Sequence, residues 1–381
     1  MNIAVNQIFS LPDLLLSIFI FIVGLFVCLN FSQKLKVSAT NCILMYFWHS
    51  FFAILFILFD LNDQTDSINW FLNRKFDPGF SGKFMYTASY VLDLLMFGYF
   101  SQNSLINILG SSSLIIMFYL LNYKNYKNNK FLNKISLLII FLPGFNFWSS
   151  GISKDAICIF GLCLLLLSLN ENKIKKKLFL TSIIIFSLPR PYLFLFLLFA
   201  YMLLLLFSLL IQKKHSLKNI LSIFIIILLT TTFVKLSLLY VDNSKDFLDF
   251  WTIIIEYLFM LQFVYSNTPL GIDADLLFFL RPIYFLFKPF AGDIPNLQGT
   301  YFAIEGVLLF LFFLFGIYSA FITKNKKLFK NFNFLFVFFF AISLLIIFSF
   351  ITSNYGIALR QKWMIIPFWL VIFKKLSKKT L

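Results

Sequence analysis

The sequence predicts an all-α fold, that of a polytopic integral membrane protein with about 11 transmembrane helices. Hydrophobic residues make up 60% of the 381 residues and charged residues only 13%, and the mean hydropathy is +0.89. This composition excludes a soluble globular protein. Apolar runs of about 20 residues, the length that crosses a bilayer, recur along the chain. No polar stretch is long enough to fold separately, so we expect a single transmembrane domain covering 1–381.

The predicted spans are apolar runs bounded by charged or polar residues. Several of them are shorter than a bilayer requires, which is itself informative. In chain order they are 12–31, 42–60, 104–121, 135–149, 155–169, 178–189, 192–212, 219–240, 302–323, 333–352 and 363–373.

Lysines concentrate in short segments between these spans and after the last one, whereas the stretch before the first span has none. By the positive-inside rule these segments are cytoplasmic, which places the N-terminus outside and the C-terminus inside. The stretches 61–103 and 241–301 are then outer loops. The lysine-rich segments contain Lys34 and Lys36; Lys124, Lys127, Lys130 and Lys134; Lys173 and Lys175 to Lys177; Lys213, Lys214 and Lys218; Lys324, Lys326, Lys327 and Lys330; and Lys374, Lys375, Lys378 and Lys379.

Two apolar segments within the outer loops fit more than one arrangement. The segment 84–100 contains Asp93 and suits an interfacial helix better than a lipid-facing span. If it did cross the membrane, the N-terminus would lie inside. The segment 247–266, which contains Glu256, has the same ambiguity and fits a hairpin with 276–290 that dips into the membrane.

All but four of the 32 basic residues are lysine, and the four arginines fall on the predicted outer side. Only Glu171 among the 16 acidic residues falls in a cytoplasmic loop. Arginine presents a planar fork that binds phosphate or carboxylate through two parallel hydrogen bonds, which lysine cannot do. The sequence therefore predicts an extracytoplasmic site for an anionic substrate. The arginines are Arg74, Arg190, Arg281 and Arg360.

Interrupted helices predict where such a site lies. The span 135–149 contains Pro143-Gly144 and continues into a polar loop, and 178–189 ends in Pro189-Arg190-Pro191. The last span, 363–373, follows the polar sequence Arg360-Gln361-Lys362. Irregular backbone and charge at membrane depth are tolerated around a protein-lined or water-filled cavity, and broken helices often mark a binding site.

Simpler roles compete with these assignments. Arg190 and Arg281 each precede a proline near a membrane boundary, where snorkelling to lipid phosphates is common. Lys154 and Asp155 can pair with each other, and 149–151 can cap the following helix. His49 reads more readily as a hydrogen-bonded intramembrane histidine than as a catalyst. Buried, unpaired thiols are expected at all four cysteines, Cys28, Cys42, Cys158 and Cys163.

Cations beside outward-facing carboxylates suit a substrate that joins a phosphate-linked lipid to a neutral sugar. The cations would bind a diphosphate and stabilise its charge as it leaves, and a carboxylate would take the proton from an attacking sugar hydroxyl. The chain contains neither a nucleotide-sugar fold nor a phosphate-binding glycine loop. A polyprenyl-linked donor is therefore the consistent choice for an outward-facing enzyme.

The order of these features resembles that of O-antigen polymerases (Wzy-type) and related GT-C-like membrane glycosyltransferases of bacterial surface-polysaccharide synthesis. The similar segments are YFWHSFFAILF with DQTDSINWF, LPGFNFWSSGISKDAICIFG, SLPRPY, LRPIYFLFKPFAGDIPN with AIEG, and NYGIALRQKW. The resemblance implies transfer of a growing glycan from undecaprenyl diphosphate to a new lipid-linked repeat unit on the periplasmic face. It also implies an acidic residue in the first outer loop, best matched by Asp66 and then Asp63. GT-C proteins usually begin inside the cell, which differs from the topology predicted above.

We therefore predict a multi-pass glycosyltransferase or polysaccharide polymerase of the bacterial inner membrane. It would act on a polyprenyl-diphosphate-linked oligosaccharide within the lipid bilayer, with a chain-length regulator as a further partner. No metal, cofactor or nucleic acid is expected. The predicted catalytic residues are Asp66, Asp155 and Arg360, and the predicted substrate-binding residues are Lys154, Arg190, Arg281, Lys288, Gln361, Asp63 and Trp148.

Two alternatives use the same surface. A flippase or transporter of lipid-linked saccharides would often show two matching halves, and the sequence shows no such repeat. An O-antigen ligase would use the same donor on the same face. The ligases that invite comparison have a prominent periplasmic histidine, and His49 and His215 are poorly placed for that role.

Overall fold

The computed structural model describes residues 10–63, 68, 71–72, 80–122, 130–170, 174–210, 280–290, 293, 297–323, 326–352 and 355–377. Helices account for 87% of the structure and those ranges contain no strand, which confirms the predicted all-α class. The predicted span 219–240 and the segment 247–266 lie outside the described residues, as does Arg74.

The chain divides into two compact units. The first comprises Met1–Pro191, Phe315–Lys324 and Phe373–Leu381, and the second comprises Tyr192–Leu314 and Asn325–Ile372. The first unit contains α1 (Leu11–Lys34), α2 (Ala39–Asp63), α3 (Phe80–Leu94), α4 (Tyr99–Asn122), α5 (Lys130–Ile140), α6 (Pro143–Trp148), α7 (Lys154–Ser168) and α8 (Lys176–Ser187). The second contains most of α9 to α13, which are α9 (Tyr192–Leu210), α10 (Arg281–Phe287), α11 (Leu297–Thr323), α12 (Phe332–Ile351) and α13 (Tyr355–Leu376).

Seven described helices are long and apolar enough to cross a membrane: α1, α2, α4, α9, α11, α12 and α13. Several long apolar helices of this kind make the chain a multi-pass membrane protein. The helices α5 to α8 are shorter, with 11, 6, 15 and 12 residues. The count of about 11 crossings and the orientation of the termini therefore stay predictions.

The last helix differs from the prediction. A final span over 363–373 was expected after a polar loop, but α13 begins at Tyr355 and continues without a break to Leu376. Arg360, Gln361 and Lys362 therefore lie within a helix and not in a loop. The expectation was wrong because charged residues were taken as a helix boundary, whereas here they are satisfied inside the unit.

Two other predicted segments are divided. The segment 84–100 is split between α3 and α4 by a turn at 95–98, so it does not form one continuous span. The run 135–149 is interrupted where it was expected to be: α5 ends at Ile140, and α6 begins at Pro143. Proline suits the first turn of a helix and cannot continue the preceding one, which explains the break.

The beginning of α4 lies beside both the start of α1 and the end of α2. Asp13 accepts hydrogen bonds from the backbone N–H groups of Phe100 (2.8 Å) and Ser101 (3.1 Å). The Tyr99 hydroxyl donates to the Asp60 carboxylate, which is fully buried. The segment between α2 and α4, which includes α3, therefore begins and ends at the same end of the first unit.

The other end of α4 is held by the last turn of α13. Lys374 donates to the carbonyl oxygens of Leu120 (2.8 Å) and Leu121, and Thr323 donates to the carbonyl of Leu376 (2.6 Å). The last carbonyls of a helix have no partners within the helix and favour a cation. Charged side chains from other helices thus close both ends of α4.

Candidate functional sites

The breaks on either side of α6 lie beside the middle of α2. Trp48 donates its indole N–H to the carbonyl of Phe141 (3.2 Å), and a side chain at Gly151 would overlap the ring of Phe56. Trp48 and Phe56 bracket the centre of the candidate span Ala39–Asn62. Irregular backbone therefore lies at the depth expected from the broken span, enclosed by protein as such backbone must be.

A polar network surrounds His49 at this depth. His49 is fully buried, and its Nδ1 lies 2.7 Å from Asn107 Oδ1 while its Nε2 lies 2.9 Å from Ser149 Oγ. Asn107 also donates to Ser50 Oγ (2.8 Å). The network explains how a histidine is accommodated here, since each ring nitrogen has a partner. A second asparagine of α4, Asn103, accepts from the N–H of Ile152 (3.1 Å).

The first turn of α7 contains one of the predicted catalytic residues, Asp155. Its carboxylate, with a side chain only 2% exposed, pairs with the guanidinium of Arg190, which follows α8. This contact joins two predicted site residues that the sequence analysis had not connected, since Lys154 was the one partner considered there for Asp155. Pro189 and Pro191 explain the local fold, because α8 cannot continue through them. The cap of α7 is Ser153, which accepts from Ala156 N–H (3.1 Å), and not the segment 149–151.

Two further predicted residues of this unit are placed by the same elements. Trp148 ends α6, is 9% exposed and stacks edge-on against Phe147 with ring centroids 5.0 Å apart. Lys154 is the first residue of α7 and is half-buried. Asp66 and the side chain of Asp63 lie outside the described residues.

The second unit contains a buried ion pair. Lys362 of α13 and Glu305 of α11 have side chains that are 0% exposed, with 3.4 Å between Nζ and Oε1. The neighbouring Gln361 accepts a 2.5 Å hydrogen bond from Thr352, which follows α12. Both charged residues were overlooked as site candidates. Each is an ionisable residue inside an apolar helix, which is the signal that marks a functional-site hypothesis.

The short helix α10 adds two more buried cations. Arg281 and Lys288 are each 8% exposed, and the Arg281 guanidinium lies 5.0 Å from the centre of the Phe350 ring. Lys288 Nζ lies 3.8 Å from Asp293 Oδ2, which also accepts from the hydroxyl of Tyr355 (3.1 Å). The cation–π contact and the ion pair compensate these charges for lost water.

These cations share one end of the second unit. Gly306, next to Glu305, packs so closely on the carbonyl of Phe287 that a side chain there would overlap it. Tyr355 and Lys362 are seven residues apart on α13 and so project from the same face. The group consisting of Arg281, Lys288, Asp293, Glu305, Tyr355, Gln361 and Lys362 is called the α10–α13 cluster below.

Arg360 is half-buried and donates through Nε to the carbonyl of Gly356 (3.0 Å), one turn earlier on α13. It lies on the same helix as the cluster. In the described part of the chain, no group of three His, Cys, Asp or Glu residues is placed to hold a metal ion. All four cysteines are buried and unpaired, as predicted.

Comparison with known proteins gives no further guide. No protein-family model, curated protein or solved structure matches this chain significantly.

Proposed function

We propose that this protein is a glycosyltransferase or polysaccharide polymerase of the bacterial inner membrane, acting on glycans linked to a polyprenyl diphosphate. The observation that supports the proposal is the burial of Arg281, Lys288 and Lys362 at one end of the second unit. Ionisable side chains within a membrane protein are costly and usually serve a substrate or ion. A lipid-linked diphosphate is an anion that reaches its enzyme from within the bilayer.

The chemistry divides among the cluster residues. Arg281 offers a guanidinium fork and Lys288 an ammonium group for the diphosphate oxygens, and both would stabilise the charge that develops as the diphosphate leaves. Asp293, whose side chain is 27% exposed, is the most accessible carboxylate of the cluster. It is held by Tyr355 and by the N–H of Phe290 (2.8 Å), which positions it to accept a proton from a sugar hydroxyl.

The two carboxylates predicted as catalytic bases, Asp155 and Asp66, have different roles in this proposal. Asp155 is engaged by Arg190 and nearly inaccessible, so its role in the proposal is to orient Arg190. Asp66 keeps the role that the sequence resemblance implies. Arg360 and Gln361 of α13 are proposed as further glycan contacts within the second unit. Lys154 and Trp148 keep the substrate-binding role that the sequence predicts.

The test is complementation of a deletion strain, read as a gel ladder of surface glycan. We expect Arg281→Lys and Arg360→Lys to shorten the ladder to a single repeat unit while membrane levels of the protein are unchanged, because lysine keeps the charge and loses the fork. Lys176→Arg, at an exposed position of α8, is the matched control and should restore the full ladder. Normal ladders from both arginine variants would overturn the diphosphate role.

The deletion strain itself separates the alternatives. A single repeat unit on the surface supports a polymerase, whereas no glycan at all indicates export or ligation. Lipid-linked units that accumulate on the cytoplasmic leaflet would indicate a flippase in place of an enzyme.

A further inference from the structure

We propose that Ser149, His49 and Asn107 form a second, occluded catalytic site in which Ser149 is a nucleophile for acyl transfer. The Ser149 hydroxyl lies 2.9 Å from His49 Nε2, and His49 Nδ1 lies 2.7 Å from the Asn107 side-chain oxygen. A serine within hydrogen-bond reach of an imidazole that a third polar group orients is the arrangement that activates a hydroxyl. The site uses none of the residues assigned above to glycan transfer.

The hydrogen-bond network determines which ring nitrogen carries the proton. At one end of the network, the Ser50 hydroxyl donates a hydrogen bond to the backbone carbonyl of Tyr46 (2.8 Å), which can only accept. Ser50 Oγ therefore accepts from the Asn107 amide N–H (2.8 Å), which leaves the Asn107 oxygen facing His49 Nδ1. That oxygen needs a donor, so Nδ1 carries the proton. In a neutral ring, Nε2 is then a proton acceptor facing Ser149.

The Ser149 hydroxyl has three acceptors within reach. The first is the carbonyl of Phe145 at 2.7 Å, one turn earlier, the second is His49 Nε2 at 2.9 Å, and the third is the carbonyl of Asn146 at 3.4 Å. A rotation about the Cβ–Oγ bond moves the proton from the first acceptor to the second without moving a heavy atom. Ser150 differs, because its hydroxyl donates to the carbonyl of Phe147 (2.8 Å) and no contact with a histidine is described for it.

The backbone is shaped to bring these groups together. A side chain at Gly110 of α4 would overlap both the Ser149 carbonyl oxygen and the His49 ring. Only glycine lets α4 approach this closely, and the close approach brings Asn107, one turn earlier on α4, to His49. Three separate elements, α2, α4 and the end of α6, thus converge on one hydroxyl.

The surroundings indicate the class of substrate. His49 is the eleventh residue of the span Ala39–Asn62, close to mid-membrane. The rings of Phe56 and Phe147 lie beside the site, with their centroids 5.4 Å apart. Phe56 is buried, whereas Phe147 is half-buried. Phe59 also packs against Phe147, with ring centroids 5.6 Å apart, so this neighbourhood is aromatic. A hydrophobic acyl ester carried by a lipid is the electrophile that reaches this depth.

The proposed reaction consumes one acyl ester and one hydroxyl compound, which is water or an acceptor alcohol. His49 Nε2 takes the Ser149 hydroxyl proton as Oγ bonds to the acyl carbon, and the ester C–O bond breaks. The alcohol of the lipid leaves with the proton from Nε2. A second hydroxyl compound, water or an acceptor alcohol, then takes the acyl group by the same steps in reverse and regenerates Ser149.

The test is covalent labelling of the full-length protein in lipid bilayers with a long-chain alkyl fluorophosphonate, whose phosphorus replaces the acyl carbon and whose fluoride leaves. We expect mass spectrometry to find the label on Ser149. The label should be lost in Ser149→Ala and kept in Ser150→Ala, its matched control. The labelling rate should fall at least about 100-fold in His49→Gln, the scale expected for a lost general base.

Two results would overturn the proposal: no label on Ser149 in the wild-type protein, or a rate on Ser149 that His49→Gln leaves unchanged. If His49→Gln does not fold, the wild-type and Ser150→Ala measurements still decide the matter, with the denatured protein as the reference for an unactivated serine. The glycan ladder of Ser149→Ala separates this site from the proposed glycan function, since labelling and ladder can fail independently.

Discussion

Lys362 and Glu305 form an ion pair in which neither side chain reaches solvent, with Nζ and Oε1 3.4 Å apart. The pair joins α13 to α11 inside the second unit. Each charge offsets the cost of removing the other from water. A single buried charge would have no such compensation. This relationship also explains how α13 accommodates Lys362, while Arg360 donates to the carbonyl of Gly356 on the same helix.

The ion pair should be strongly coupled in stability. Removing one partner, as in Glu305→Leu or Lys362→Met, leaves an uncompensated buried group and should lower the free energy of unfolding by about 3–5 kcal/mol. The double variant Glu305→Leu with Lys362→Met should lose much less, because both charges are gone. Denaturant unfolding of the purified protein in detergent measures all three.

Lys176→Met is the control for the loss of a lysine, since Lys176 is exposed on α8, and it should change stability by less than about 0.5 kcal/mol. If the losses in the two single variants simply add in the double variant, the two side chains do not interact and the pairing is contradicted.

Asp13 should act as a cap supplied to α4 by another helix. Its carboxylate accepts from two N–H groups at the start of α4, where negative charge is favoured. We expect Asp13→Ala to lower stability by about 1–2 kcal/mol and to speed amide hydrogen exchange at Phe100 and Ser101. Asp93→Ala, at an exposed aspartate in the last turn of α3, is the control and should leave both quantities unchanged. Equal effects of the two substitutions would rule out the cap.

The sequence predicted the elements of this fold better than their contacts. Long apolar runs predicted six of the seven described helices able to span and the second half of α13, and Pro143 predicted the break before α6, because length and missing N–H groups are local properties. The contact of Asp13 with Ser101 and that of His49 with Ser149 join residues far apart in the chain, which no period in the sequence encodes.

The candidate sites show the same limit. Arg281 was singled out because arginine is rare in this chain, and the structure buries it in a polar cluster. Glu305 and Lys362 were passed over because each, taken alone, reads as a boundary or a loop charge. Only their mutual contact distinguishes a buried pair from two solvated residues.

Two glycines of the first unit should be intolerant of any side chain. A methyl group at Gly151 would overlap the Phe56 ring, and one at Gly110 would overlap the Ser149 carbonyl oxygen. Relief of the second overlap requires movement of backbone, so Gly110→Ala should cost about 1–3 kcal/mol of stability, as overpacking does. Gly151→Ala should cost a similar amount by displacing Phe56. Ser104→Ala, at a half-buried position of α4, is the control, and thermal unfolding in detergent is the measurement.

A stabilised or unchanged Gly110→Ala variant would show that α4 does not approach the end of α6 as closely as described. The two glycine variants also differ in what they disturb. Gly151→Ala acts only on the Phe56 side chain, whereas Gly110→Ala also acts on the Ser149 backbone carbonyl.

The contact between α2 and α4 predicts which residues lie on the same side of the membrane. Because Asp60 contacts Tyr99, α3 and the turn after it should lie on the same side of the membrane as the start of α1, and Lys34 should lie on the opposite side. We expect Leu95→Cys, at a position 61% exposed, to react with a membrane-impermeant maleimide in intact cells. Lys34→Cys, also exposed, should react only after permeabilisation. The native cysteines are all buried, so the background should be low.

The three outcomes of this experiment have different meanings. Labelling of Leu95→Cys alone in intact cells places the N-terminus outside, as the lysine distribution predicts. Labelling of Lys34→Cys alone inverts the protein and places the N-terminus inside, which would move the lysine-rich segments outward. Labelling of both in intact cells would contradict a crossing of the membrane by α1, whose start contacts α4 through Asp13 and whose last residue is Lys34.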